Sequence, residues 1–115
     1  MGGDGLLGAF EEHVLLAVTR CGENAYGMTV RREIEERTGR DVAIGAVYST
    51  LTRLEQKGWV ASQLRESGHT ERRGRARRFF ALRPLGADAL REALKQRRSM
   101  WEGLDPSALV EGEAP

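Results

Sequence analysis

Three runs of apolar residues at helical spacing follow one another along this chain. Each is closed by a glycine, and after the third the spacing drops to two. Phe10, Val14, Ala17, Val18 and Cys21 make the first run, and Gly22 ends it. The second lies in "AYGMTVRREIEERTG", with Asn24 as the expected N-cap, Val30 and Ile34 facing inward, and Gly39 as the stop. Arg31 with Glu35, and Arg32 with Glu36, stand four apart and mark its solvated face. In "AIGAVYSTLTRLEQKG", Val47, Leu51 and Leu54 form the third stripe, with Gly45, Ser49, Thr52, Arg53 and Gln56 opposite and Gly58 as the stop. Then "WVASQLR" alternates, with Val60, Ser62 and Leu64 on one face. "RRFFALR" sets Phe80 and Leu82 on one face, Phe79 and Ala81 on the other. Gly68 and Gly74 in the linker "ESGHTERRGRA" predict a hairpin with a long tip. A period of 3.6 cannot sit in a strand, so the order is three helices and then a hairpin.

A fourth helix is predicted from Pro84, which suits a first helical turn. Ala87, Leu90, Leu94, Arg97 and Trp101 recur on it at intervals of three and four. Such a stripe can pack on the first helix. Its length and exposure favour a dimerisation helix. The predicted fold is mostly α with a small β-hairpin, a winged helix-turn-helix plus a C-terminal dimerisation helix.

Charge is concentrated in one place. Arg72, Arg73, Arg75, Arg77 and Arg78 fall within seven residues, although the 115-residue chain has a net charge of only +1. Residues 65–83 hold seven basic and two acidic side chains, a local +5. That is an electrostatic footprint for a polyanion. On a winged helix the third helix enters the major groove, and its N-terminal half must be thin. Gly45, Ala46 and Ser49 are small, while Arg53 reaches a guanine edge or a phosphate. The hairpin lies beside it, so Arg72, Arg73, Arg75 and Arg77 are expected on phosphates or in a narrow minor groove. Phe79 and Phe80 could stack on bases, but alternation with Leu82 assigns Phe80 to the core.

The blocks "LGAFEEHVLLAV", "AYGMTVRREIE", "GAVYSTLTRLEQKGWV" and "GRARRFFALRPLGADAL" together resemble the PadR family of bacterial transcriptional regulators, in its compact form with a single C-terminal helix. The pattern from Gly45 to Gly58 is the most specific part, and that from Arg77 to Gly86 supports it. The resemblance implies a homodimer on two-fold operator DNA that represses transcription. It also implies dimerisation through the first and last helices, with small-molecule effectors acting near that interface. By position, Tyr26 and Tyr48 match family aromatics near the path of the phosphates. Tyr48 could equally be a core-edge residue. Phe10, Val14, Leu90, Leu94, Arg97 and Trp101 are the expected dimer contacts. Trp101 either stacks on a planar effector or packs on the partner. Two departures stand out. Ala43 replaces the serine often found before the third helix, a cap oxygen worth about 1 kcal/mol. Arg83 replaces a threonine, with Pro84 fixing the turn that follows.

The expected segments are a flexible N-terminus over 1–5, a winged-helix DNA-binding domain over 6–83, the dimerisation helix over 84–104 and a flexible acidic tail over 105–115. "MGGDGLLGAF" does not read as a signal peptide, and "VLLAV" is too short to span a membrane. One cysteine forms no internal disulfide, which fits the cytoplasm. Cys21 lies on an apolar stripe and reads as buried and inert. His69 with Glu71 reads as loop, not as a titrating pair. Neither His13 nor Asp41 belongs to a metal or nucleophile pattern. No enzyme, metal or cofactor is expected. The expected partners are double-stranded DNA, a second copy and an effector. The alternatives are a winged-helix protein-interaction module, or a ligand-sensing dimer for which DNA is secondary.

Overall fold

The apolar stripes become helices packed on one another. The computed structural model describes residues 7–66 and 76–109. Helix α1 spans Ala9–Cys21, α2 Gly27–Thr38, α3 Ile44–Gln56 and α4 Pro84–Trp101. Strands β1, Val60–Glu66, and β2, Ala76–Leu82, form an antiparallel hairpin between α3 and α4. Single 3₁₀ turns lie at Gly22–Asn24 and Pro106–Ala108. The stops at Gly22, Gly39 and Gly58 all fall at positive φ, 59°, 73° and 81°.

Leu15, Val18, Val30, Val47, Leu51 and Leu54 are fully buried where α1, α2 and α3 meet. Each such side chain contributes roughly 1.5–3 kcal/mol. The strand register pairs Val60 with Leu82 and Ser62 with Phe80, which keeps the faces that the alternation assigns together. Phe80 is buried, and its N–H donates to the Ala25 carbonyl at 2.8 Å, tying the hairpin to the turn before α2.

Two expectations are corrected. Asn24 is not the N-cap of α2, because a 3₁₀ turn precedes the helix and the cap is Tyr26. The capping hydroxyl comes from inside the first turn: Thr29 Oγ1 accepts from the Tyr26 N–H at 3.0 Å and donates to the Asn24 carbonyl at 2.6 Å. Val14 is not a dimer contact, since it is wholly buried inside the protomer core and has no surface to offer. The Arg31–Glu35 pair forms at 3.5 Å, whereas Arg32 lines a groove described below.

The turn that sets α3 against α2 is clamped by one carboxylate. Glu35 Oε2 accepts from the Val42 N–H at 2.9 Å and lies 3.5 Å from Arg31 Nε. The Val42 hydrogen bond, with help from Arg31, holds this carboxyl below the usual carboxylate range. Nearby, Glu33 joins α1 to α2 by accepting from Arg20 at 2.9 Å and from Arg37 at 2.7 Å. It too is held low, chiefly by Arg37 and then by Arg20.

Helix α4 leaves the hairpin at close quarters. The Arg83 N–H donates to the Trp59 carbonyl at 2.9 Å, and a Cβ on Gly86 would overlap that same oxygen. Helix propensity alone makes Gly86→Ala stabilising by about 1 kcal/mol. The overlap reverses the sign, and urea unfolding should show a loss of about 1–3 kcal/mol. A low folded-state pKa at Glu35 contributes stability above the unfolded value of about 4.3, and that contribution fades as pH falls through the folded value. Glu35→Gln should therefore unfold at lower urea than the parent at neutral pH, with the gap between the two narrowing below about pH 4.

Candidate nucleic-acid interface

Burying Val47, Thr50, Leu51 and Leu54 of α3 decides which side chains face out. At 100° per residue, the side opposite that stripe carries Gly45, Ser49, Thr52 and Gln56, all exposed. Their spacing of four, three and four makes a narrow polar strip along the helix. Its N-terminal end is thin, and the Ser49 hydroxyl donates to the Gly45 carbonyl at 3.0 Å. The sequence puts Thr52 and Gln56 on this outer face without giving them a site role. In the structure they form the C-terminal half of the strip. The missed signal was their regular spacing from Gly45 and Ser49. A glutamine amide is a natural reader of adenine.

Arg53 and Ala46 lie on one flank of the strip. Ala46 is exposed beside the turn before α3. Arg53 leans toward α1: its Nη2 donates to Thr50 Oγ1 at 3.3 Å and its Nε stands 3.9 Å from Glu11 Oε2. Tyr48 is on the other flank, half exposed, with its ring resting on the backbone of Gly27. Ala43 caps α3 without a side-chain acceptor, as its chemistry requires.

Between Tyr48, the start of α2 and β2 lies a groove of about 440 Å³, lined by Tyr26, Met28, Arg32, Tyr48, Arg77 and Arg78. Three guanidiniums and two phenols meet there. The Arg77 guanidinium sits 4.4 Å over the Tyr26 ring, and Tyr26 meets Phe79 edge-on at 5.3 Å. Arg65 covers Phe79 at 3.9 Å and donates to the Glu23 carbonyl at 2.9 Å. Each cation–π contact is worth about 0.5–2 kcal/mol and fixes the direction of its guanidinium. Phe79 is thus held between Tyr26 and Arg65, and Phe80 is in the core. Arg78 donates to Ser62 Oγ at 2.9 Å, and that hydroxyl donates to Glu55 of α3 at 2.8 Å, so hairpin and α3 are linked. Arg72, Arg73 and Arg75, and His69 with Glu71, lie outside the described residues.

On the far side, α4 buries only Gly86. Leu90 packs partly on the core, as does Phe10, while Leu94 and Trp101 are exposed. Arg97 pairs with Glu12 of α1. A second groove of about 510 Å³ runs between α1 and α4, with Leu7, Glu12, Ala89, Ala93, Arg97 and Trp101 among its walls. Cys21 is half-buried, and burial pushes its thiol pKa up, against the direction reactivity needs. Among the described residues no group of three or more His, Cys, Asp or Glu could hold a metal ion. No described helix is long and apolar enough to cross a membrane.

Tyr48 reaches its place only because residue 27 has no side chain. A Cβ there would overlap the phenol end of Tyr48. Gly27→Ala should swing that ring out and alter the groove it shares with Arg77. Tyrosine fluorescence and NMR shifts of Tyr26 and Tyr48 should change, while the fold persists.

The transcriptional regulator PadR-like family matches residues 14–92, from the buried part of α1 to the middle of α4. The chain is similar to hsRosR-S4, solved as a complex, at 30% identity, with 87% of this chain and 78% of that one covered and a TM-score of 0.60. It is similar to RosR of H. salinarum at 27% identity over 92% of this chain and 86% of that one, with a TM-score of 0.64. A PadR-like transcriptional regulator of Bacillus cereus shares the fold, at 22% identity over 90% and 93% of the two chains and a TM-score of 0.66. No curated protein matches the chain. With the winged helix-turn-helix in place and the family match covering most of its length, the chain belongs to the PadR-like family and is a DNA-binding transcriptional regulator.

Proposed function

We propose that the protein is a homodimeric repressor that binds an inverted-repeat operator in the cytoplasm and leaves it when a small molecule binds. One observation carries the DNA-contacting part. The polar strip of α3 and the guanidinium groove adjoin at Tyr48, so bases and phosphates can be met from one side. In this reading residues 6–83 form the DNA-binding unit. Gly45, Ala46 and Ser49 let the start of α3 approach the floor of the major groove, and Thr52 and Gln56 read base edges. Arg32, Arg77 and Arg78 neutralise phosphates, with Tyr26 and Tyr48 beside them. Arg72, Arg73 and Arg75 extend that contact.

Residues 84–104 form the dimerisation arm. The support is the exposure of Leu94, Met100 and Trp101 along α4, an apolar edge that a second copy would cover. Phe10, Leu90 and Arg97 border the same region. Two α3 helices held this way read half-sites about one helical turn apart, roughly 34–36 Å. The groove beside Trp101 suits an apolar, planar effector. Its occupancy acts on the arm that sets the half-site distance. Catalysis has no part in this function, and members of the family are regulators of transcription.

Site selection from random duplex DNA, with sedimentation of the free protein, tests the whole reading. Enrichment of an inverted repeat and a dimer mass are expected. A monomer, or selected sites without symmetry, would exclude the two-fold arrangement. Within the enriched site, Gln56→Ala should cost about 1–3 kcal/mol and relax preference at a single base position. Arg77→Ala should weaken all sequences alike and lower the salt slope by about 1.

A further inference from the structure

The recognition helix has little free positive charge, because an acid from another helix has taken it. Between residues 41 and 64 the only basic side chains are Arg53 and Lys57. They stand four apart, at the C-terminal end of α3, and both turn to Glu11 in the first turn of α1. Lys57 Nζ donates to Glu11 Oε2 at 3.2 Å, and Arg53 Nε lies 3.9 Å from the same oxygen. The other oxygen, Oε1, accepts from the Gly8 N–H at 3.2 Å, which fixes the carboxylate in place. The Glu11 side chain is 15% exposed, against 54% for Arg53 and 33% for Lys57. The acid is the more buried member, and of the two cations Lys57 also lies 4.6 Å from the centre of the Trp59 ring.

We infer that Glu11 is a positioning residue for DNA recognition, one that holds Arg53 and Lys57 off the phosphate backbone and so limits sequence-independent binding. The inference rests on α3 entering the major groove. Affinity for any duplex grows with each phosphate a protein neutralises, whatever the bases. A recognition helix with two unpaired cations would bind every duplex more tightly, whatever its sequence. Glu11 keeps those cations engaged, and the neutral strip of Gly45, Ser49, Thr52 and Gln56 then dominates discrimination. Phosphates compete for Arg53 and Lys57 only where the base contacts already hold α3 in place.

Glu11→Gln tests this, because the amide oxygen still accepts from Gly8 while the charge is gone. Binding to random-sequence duplex DNA is measured across a range of salt. The variant should bind more tightly, by roughly five- to thirty-fold at about 0.15 M salt, with a salt slope steeper by about 1–2. Adding Arg53→Ala and Lys57→Ala to it should abolish that gain. Asp105→Asn, with the same charge change on an exposed residue beyond the α4 arm, should leave the slope alone. An unchanged slope in Glu11→Gln, while the parent protein binds, overturns the inference and leaves the DNA-contacting reading intact. So does a gain that survives loss of both cations, or one that Asp105→Asn reproduces. If the parent protein retains no duplex at any salt, the DNA-contacting reading itself fails and takes this inference with it.

Discussion

Everything functional in this molecule depends on the burial of one edge of α3. Val47, Leu51 and Leu54 have no exposed surface, and they fix the rotation of the helix about its own axis. A turn of 100° would put leucine toward water and either Glu55 or Arg53 toward the core, at a cost of several kcal/mol. The polar strip is therefore set by what lies behind it. Glu35 adds the other constraint, since its hydrogen bond to Val42 fixes the turn between α2 and α3.

The hairpin arginines act through a different principle. A guanidinium on a two-stranded ribbon would ordinarily be mobile. Arg77 is held over Tyr26, Tyr26 against Phe79, and Phe79 under Arg65, which is hydrogen-bonded to the main chain. Aromatic faces thus orient charge without neutralising it. The carboxylate at Glu11 does the reverse for Arg53 and Lys57, giving them both direction and a counter-charge. Two sets of cations on one surface are prepared differently, and that contrast separates general from selective contact.

Glycine supplies the close approaches. Gly86 lets α4 start against the Trp59 carbonyl, and Gly27 lets Tyr48 lie on α2. Neither position needs an unusual φ. Both need the absence of a β-carbon, so the side chain of a neighbour or a main-chain oxygen can occupy the space.

The sequence by itself determined the order of elements, because a period near four cannot be a strand and a period of two cannot be a helix. It determined the helix stops at Gly22 and Gly39, the two faces of each strand, and the concentration of arginine over residues 72–78. It placed the thin start of α3 at Gly45 and Ser49. It could not tell that Asn24 belongs to a 3₁₀ turn, because Thr29 provides the cap from within the helix. The resemblance made Val14 a dimer contact, whereas its place on the apolar stripe agrees with its burial in the protomer. Only the tertiary structure decided that Arg77 rests on Tyr26 and that Arg53 turns to Glu11. These are pairings between residues from 42 to 51 positions apart for Glu11 with Arg53 and Tyr26 with Arg77. Spacing along the chain carries the shape of each element, whereas the partner of a charged or aromatic side chain is fixed only when the elements pack.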